Sequence, residues 1–287
     1  MRLLVPLLGL ILNRVSSQFI DATVCSDLQS ACFDIVHDSF EGGFFRAVSF
    51  QGEDLQDGEA CMSRVFLATP DTTDLCSLTL EQRLALPVDG SRPLFSIVEP
   101  LVQPLLDLSL ERDPLQVLNI GLGAGSVDLY LNSLEKRPNL TTAEIDPAMV
   151  RIAREYFGHV DDELHRILLE DGLEVLERNR EGGHKFHFLI IDACAGTQHS
   201  EFICPVQPFL TREAVDLIYE NLDYGGTVSV NVLAGSEEIY LEVEEFLERM
   251  HARFQNRCEV GGIEFTANRI LICKKESENG VESRQEL

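Results

Sequence analysis

The stretch VLNIGLGAGSVDLYL, Val117 to Leu131, decides the fold. It opens as a short apolar strand. Three glycines follow at alternate positions, Gly121, Gly123 and Gly125, and then a run with apolar residues at helical spacing. Glycine permits a tight turn and lets the backbone approach a ligand closely, and the helix that follows offers free amides. The spacing G-x-G-x-G differs from the dinucleotide fingerprint G-x-G-x-x-G.

The pattern repeats downstream. LTTAEID (140–146) reads as a second strand, with Asp146-Pro147 opening the helix PAMVRIAREYFG (147–158). An acid at the end of the second strand accepts hydrogen bonds from both ribose hydroxyls, and Glu144 follows Gly121 by 23 residues. Asp146 reads as a helix cap. HRILLE (165–170) is a third strand, followed by Asp171, which either reaches an adenine amino group or caps the helix over 173–179. KFHFLIIDA (185–193) is a fourth strand and delivers Asp192. FLTREAVDLIYENLDYGG (209–226) reads as a helix closing on a glycine pair, and TVSVNVL (227–233) as a fifth strand. A long amphipathic helix over 236–254 and two strands, QNRCEV and NRILICKK, complete the series. Short apolar strands alternating with helices mean a mostly parallel sheet covered on both faces.

The expectation is therefore α/β: a seven-stranded, mostly parallel Rossmann-like sheet with an antiparallel end over residues 91–275, preceded by a small β-rich layer over 18–90. In that layer 19–30 is a lead-in, 31–67 is antiparallel with a hairpin turn at Gly42-Gly43, 72–86 is briefly helical and PVDGSRP (87–93) is a break. Residues 94–110 read as a helix interrupted by Pro100 and Pro104. The polar tail, 276–287, is expected to be disordered. The acids and the glycine turn suit an adenosine-containing ligand without a pyrophosphate, and a thioether sulfonium cofactor fits that description.

Together, VLNIGLGAGSVDLYL, AEIDPAMVRIAREYFG, LLEDGLEVL, FHFLIIDA and NRILICKK resemble the class I S-adenosylmethionine-dependent methyltransferase fold. More narrowly they are similar to the branch shared with spermidine synthase. Within it the chain looks like the C-terminal domain of the methyltransferase-like enzymes that methylate the N-terminus of elongation factor 1-alpha. The resemblance implies S-adenosyl-L-methionine as cofactor. It places Gly121, Gly123 and Gly125 at the methionine part, Glu144 at the ribose, Asp171 at the adenine, and Asp192 at the reaction centre. The small β-layer would mediate a homodimer, as in that branch. Aminopropyltransferases carry two acids in this loop. Here the sequence is Asp192-Ala193-Cys194-Ala195, and alanine neither accepts a proton nor binds an ammonium. His199, Ser200 and Glu201 follow as further polar candidates.

The formal charge of the 287 residues is -25, which excludes nucleic acid as a partner and accommodates a basic protein or a small amine. The first 17 residues, MRLLVPLLGLILNRVSS, have the pattern of a signal peptide, and no later segment spans a membrane. Eight cysteines fall into four local pairs, a pattern that suits disulfides in a secretory chain, and without CxxC spacing no metal centre is expected. Asn139-Leu140-Thr141 is a glycosylation acceptor, and the final RQEL loosely resembles an endoplasmic-reticulum retention address. The expected protein is a secreted or luminal methyltransferase of unknown acceptor. The alternative is a catalytically inactive secreted relative that binds a basic protein or small amine; aminopropyl transfer is opposed by Ala195.

Overall fold

A computed structural model describes residues 18–277 apart from 41–42, 53–60, 71–72, 94–96, 109–113, 196–202, 235 and 264–265. The expected signal peptide, the retention-like tail, the tip of the Gly42 hairpin and His199, Ser200 and Glu201 lie outside the described residues.

The N-terminal part is an antiparallel meander of five strands: β1 (Phe19–Ser26), β2 (Ala31–Phe40), β3 (Gly43–Phe50), β4 (Cys61–Leu67) and β5 (Val88–Pro93). Two expectations are corrected here. Residues 19–26 form a full strand rather than a lead-in. Its inward polar residue, Asp21, is paired with His37 Nδ1 at 2.7 Å and with Arg83 Nε at 2.8 Å, so a buried acid interrupts the apolar alternation. The expected break at 87–93 is strand β5. As an edge strand it tolerates Pro93, and Gly90 is needed because a Cβ there would lie 2.6 Å from the Leu129 carbonyl oxygen. The expected helical segment between β4 and β5 is a 3-10 turn at Leu75–Ser77 followed by α1 (Leu80–Leu84), which is held by a capping box between Thr79 and Gln82.

The second part begins with α2 (Val98–Leu108) and continues as the expected α/β series. Its elements are β6 (Gln116–Ile120), α3 (Ser126–Ser133), β7 (Asn139–Glu144), α4 (Pro147–Tyr156), β8 (His165–Leu169), α5 (Gly172–Gly182) and β9 (Phe186–Ile191). There follow the two-residue β10 (Ile203–Cys204), α6 (Arg212–Asn221), β11 (Leu222–Ala234), α7 (Glu237–Arg253), β12 (Cys258–Gly262) and β13 (Arg269–Lys274). The strand order is β12-β13-β11-β9-β6-β7-β8, with β10 beside β11. The strands from β8 to β11 are parallel, while β13 and β12 run antiparallel, as expected. The helix expected over 209–226 ends at Asn221. Its amide donates to Leu176 O and Leu217 O, and the glycine pair lies in an irregular opening of β11, with Gly225 at φ +70°. Glu276 is anchored rather than disordered: it is buried and accepts from Arg257 Nη2 at 3.0 Å.

The two sheets share a core. Phe33, Ile35 and Phe50 of the meander pack with Met149, Ile152 and Phe157 on and after α4. Arg46, buried on β3, fastens this seam. Its Nε donates to His37 Nε2 at 2.8 Å, its Nη1 to Tyr156 O, and its Nη2 to the carbonyls of Arg83, Leu84 and Leu86. A guanidinium thereby satisfies carbonyls at the C-terminal ends of α4 and α1. Burial, reinforced by the Arg46 charge, pushes His37 down to about 4, so His37 is neutral and its Nε2 is free to accept.

Three disulfides join the described cysteines: Cys25–Cys32, Cys194–Cys204 and Cys258–Cys273. The first and third link directly opposed residues of neighbouring strands. The fourth local pair is not closed: Cys76 is exposed and free, and the Cys61 side chain lies outside the described residues. The acceptor motif at Asn139 is built into the sheet. Asn139 Nδ2 donates to Gln116 Oε1 at 3.0 Å, and Thr141 Oγ1, buried, accepts from Arg166 Nε at 3.0 Å.

Candidate functional site

Strand order reverses between β6 and β9. From β6 the chain moves outward through β7 and β8; from β9 it moves the other way through β11. Open α/β sheets bind ligands in the crevice outside the carboxyl ends of the strands at such a switch point. Gly121 directly follows β6 and Asp192 directly follows β9, so the two flank this crevice. Asp192 N donates to Ile120 O at 2.8 Å, and Gly121 N to Ala143 O at 2.9 Å.

Each glycine of the turn answers a constraint of the protein itself. Gly121 has φ +96°, and a Cβ on it would lie 2.4 Å from the Asp192 carbonyl oxygen. Gly123 (φ +54°) faces Ser63 Oγ of β4, and Gly125 (φ +86°) lies against the His159 ring. The five amides of the turn are also engaged. Gly121 N reaches Ala143 O, Leu122 N reaches Glu144 Oε2 at 2.8 Å, and Gly123 N reaches the same carboxylate. Ala124 N donates to Ser63 Oγ at 3.1 Å, and Gly125 N to Leu122 O at 2.8 Å. A turn whose amides are taken internally is a poor cradle for phosphate, which agrees with a ligand lacking a pyrophosphate.

Glu144 ends β7 and is 8% exposed. Its Oε2 accepts from Leu122 N and its Oε1 from Asp146 N, each at 2.8 Å. Burial raises its pKa, and the hydrogen bonds from Asp146, Leu122 and Gly123 only partly oppose that. The carboxylate is thus a brace for the glycine turn. Three amides leave about one of the carboxylate's four acceptor sites, which a hydroxyl can use. Asp146 caps α4 through Ala148 N at 2.8 Å and accepts from Gln29 Nε2 of the meander at 2.7 Å. Asp171 caps α5 through Leu173 N at 2.7 Å by one oxygen. Beside these acids, Ile145 and Leu169 are 52% and 54% exposed, an apolar pair at the same edge of the sheet.

Asp192 is partly buried, and burial pushes its carboxyl up to about 6, against the pull of a hydrogen bond from Asn231 Nδ2 at 2.8 Å. Asn231 Oδ1 in turn accepts from Asn268 Nδ2 at 2.8 Å, which orients the Asn231 amide. The Cys194–Cys204 bridge stands beside them, with Cys194 Sγ 3.6 Å from Asp192 Oδ1. Ala195 and Ile203 exchange backbone hydrogen bonds at 3.0 Å, so the start and return of the loop are clasped by both sulfur and backbone. Asn231 and Asn268 are site residues that sequence reasoning did not assign. The available signal was an asparagine in the middle of the apolar strand VSVNVL, which needs a partner once buried.

No protein-family model matches the chain. The eEF1A lysine and N-terminal methyltransferase homolog of Drosophila melanogaster is 28% identical over 157 residues, 55% of this chain and 23% of that protein. The chain therefore spans about a quarter of that relative. The polyamine aminopropyltransferase of Vibrio vulnificus is 29% identical over 133 residues, 46% of this chain and 42% of that enzyme. Among solved structures, human methyltransferase-like protein 13 in complex with SAH has TM-score 0.56 and 23% identity, covering 66% of this chain and 89% of that one. A probable spermidine synthase from Corynebacterium glutamicum has TM-score 0.60 and 18% identity, covering 88% and 79%. The fold is that of the class I methyltransferases and spermidine synthases, with the small β-layer in front, and the resemblance read from the sequence is borne out.

Proposed function

We propose that this protein binds S-adenosyl-L-methionine and transfers its methyl group to a basic nitrogen acceptor in the secretory pathway. The observation that carries this reading is the row of strand ends at the switch point: Asp192, the glycine turn and Glu144 on adjacent strands β9, β6 and β7. The residues fit the cofactor. Glu144 keeps an acceptor site for a ribose hydroxyl, Ile145 and Leu169 offer an apolar edge for adenine beside Asp171, and the Gly121–Gly125 turn lets the methionine part approach closely. When bound, the cofactor supplies an electrophilic methyl on a sulfonium. Asp192, ionised at neutral pH with its carboxyl at about 6, aligns an amine acceptor, balances the developing positive charge and takes its proton. Asn231 holds that carboxylate in place. The net charge of -25 favours a basic protein or small amine as acceptor. The three disulfides and the N-terminal apolar run support a secreted or luminal location, and no described helix is long and apolar enough to cross a membrane. Residues 18–90 and 91–275 would act as two layers of one catalytic unit, with the former also a candidate for homodimerisation.

A second reading is a non-catalytic relative that binds a basic protein or amine. Ala195 in place of a second acid, and the clasp at Cys194–Cys204, favour it. Calorimetry separates the two. Binding of S-adenosylmethionine and its demethylated product, followed by labelled methyl transfer to basic peptides that Asp192→Asn abolishes, supports the enzyme. Absence of cofactor affinity together with retained peptide binding leaves the second reading.

A further inference from the structure

Behind the glycine turn lies a side-chain cluster that the proposed chemistry does not use. Asp128 on α3, His159 after α4 and His165 on β8 are 0%, 4% and 2% exposed. One donor atom from each lies within 4.8 Å of the others. Asp128 Oδ1 accepts from Asn119 Nδ2 at 2.8 Å; its Oδ2 accepts from Thr142 Oγ1 at 2.7 Å and faces His165 Nε2 at 2.8 Å. His159 is different. Its ring stands 5.8 Å from that of His165 and near the backbone of Ala124 and Gly125, and neither of its nitrogens makes a hydrogen bond of normal geometry among the described residues. A buried imidazole without a well-formed hydrogen bond, beside a second imidazole and a carboxylate, points to a ligand that completes it.

The donor set identifies the ligand. Two imidazoles and a carboxylate suit zinc, whereas calcium and magnesium take oxygen alone. We propose that Asp128, His159 and His165 hold a structural zinc ion. Bonds of about 2.0–2.2 Å place tetrahedral donors roughly 3.3 Å apart, so His165 withdraws slightly from Asp128, His159 moves in, and the proton of His165 Nε2 leaves to solvent. A water supplies the fourth ligand. Asn119 and Thr142 orient the carboxylate from behind. The ion ties α3, which carries the glycine turn, to β8 and to the loop after α4, and fixes the His159 ring against Gly125.

The test uses the full chain expressed through a secretory pathway, so that its disulfides form. Elemental analysis is expected to find about one zinc per chain. After chelation, cobalt should restore one equivalent with tetrahedral ligand-field bands that zinc displaces, and zinc should raise the melting temperature. His159→Phe should lose stoichiometric uptake while keeping the far-ultraviolet spectrum of the folded chain. If that variant does not fold, X-ray absorption of the cobalt-loaded wild type reads the ligands directly and should show two imidazoles. A folded wild-type chain that takes up neither ion, uptake unchanged in a folded His159→Phe variant, or a spectrum without imidazole would each overturn the proposal.

Discussion

Asn231 Nδ2 donates to Asp192 Oδ1 across 2.8 Å, and this contact joins the ends of neighbouring strands β9 and β11 at the mouth of the crevice. It stabilises the ionised form of an acid that burial has pushed up to about 6. Asn231 itself is held by Asn268 across 2.8 Å, so among the described residues the carboxylate is positioned through two amides rather than by an ion pair.

Asp192→Asn should make the protein more stable at neutral pH. A folded-state pKa of about 6 exceeds the ordinary value of 3.8, so the folded chain binds the proton more tightly. The wild type then loses stability as pH rises from below 4 through 6. With partial solvent access discounting the shift, the gain from the substitution is about 1–2 kcal/mol at pH 7.5, shrinking toward zero below pH 4. Urea unfolding at several pH values measures it. A constant difference across that range would remove burial of Asp192 as its origin.

Glu144→Ala should affect both stability and cofactor affinity. It strips acceptors from the amides of Leu122 and Asp146, each 2.8 Å away, inside a buried turn. The expected loss is about 2–4 kcal/mol of folding free energy, with at least tenfold weaker binding of S-adenosylhomocysteine. Chemical denaturation and calorimetry on the same preparation report the two effects separately. Wild-type affinity in a stable variant would refute the ribose assignment.

Gly121→Ala should disrupt the crevice even without ligand. The new methyl would fall 2.4 Å from the carbonyl oxygen of Asp192, a backbone atom that cannot swing away, at φ +96°. A destabilisation of at least ~2 kcal/mol is expected from overpacking and strain combined. Hydrogen exchange should show the extra opening at the ends of β6 and β9 rather than in the N-terminal meander.

Arg46→Met should loosen the seam between the sheets. The substitution removes the Arg46 donor from buried His37 Nε2 and from the part-buried carbonyls of Tyr156, Arg83, Leu84 and Leu86. About 3–5 kcal/mol should be lost, the range for breaking a buried charged network. Thermal unfolding followed by calorimetry should shift as a whole or split into two transitions. An unchanged profile would show that Arg46 is not the fastening.

Non-reducing peptide mapping should recover Cys25–Cys32, Cys194–Cys204 and Cys258–Cys273, and alkylation should label Cys76. Replacing Cys258 and Cys273 together by serine should cost about 3 kcal/mol, given the 15-residue separation they span. Replacing Cys194 and Cys204 should act chiefly on the acceptor side of the site, since the bridge stands beside Asp192.

The parts legible in the sequence share one property: their signal is local. VLNIGLGAGSVDLYL carries a strand, its turn and its helix in consecutive residues, and each later strand and helix is likewise contiguous. Misreadings fell where a distant partner changes the meaning of a residue. Asp21 looks like a solvent-facing acid until Arg83 and His37 close on it, and the Pro and Gly of 87–93 look like a break until an edge position and the Leu129 carbonyl account for them. Asp171 remained ambiguous because a helix cap and a ligand contact use the same side chain, and the structure shows the cap.

By itself the sequence determined the α/β class, the glycine turn and the acids at the ends of the second and fourth strands, because short-range periodicity and spacing encode them. Only the tertiary structure decided that Glu144 braces the turn's amides, that Ser63 and His159 lie against its glycines, that Asn231 and Asn268 hold Asp192, and that Asp128, His159 and His165 meet. Those relationships join residues far apart in the chain, and their geometry exists only once the sheets have packed against each other and buried the polar groups that must then find one another.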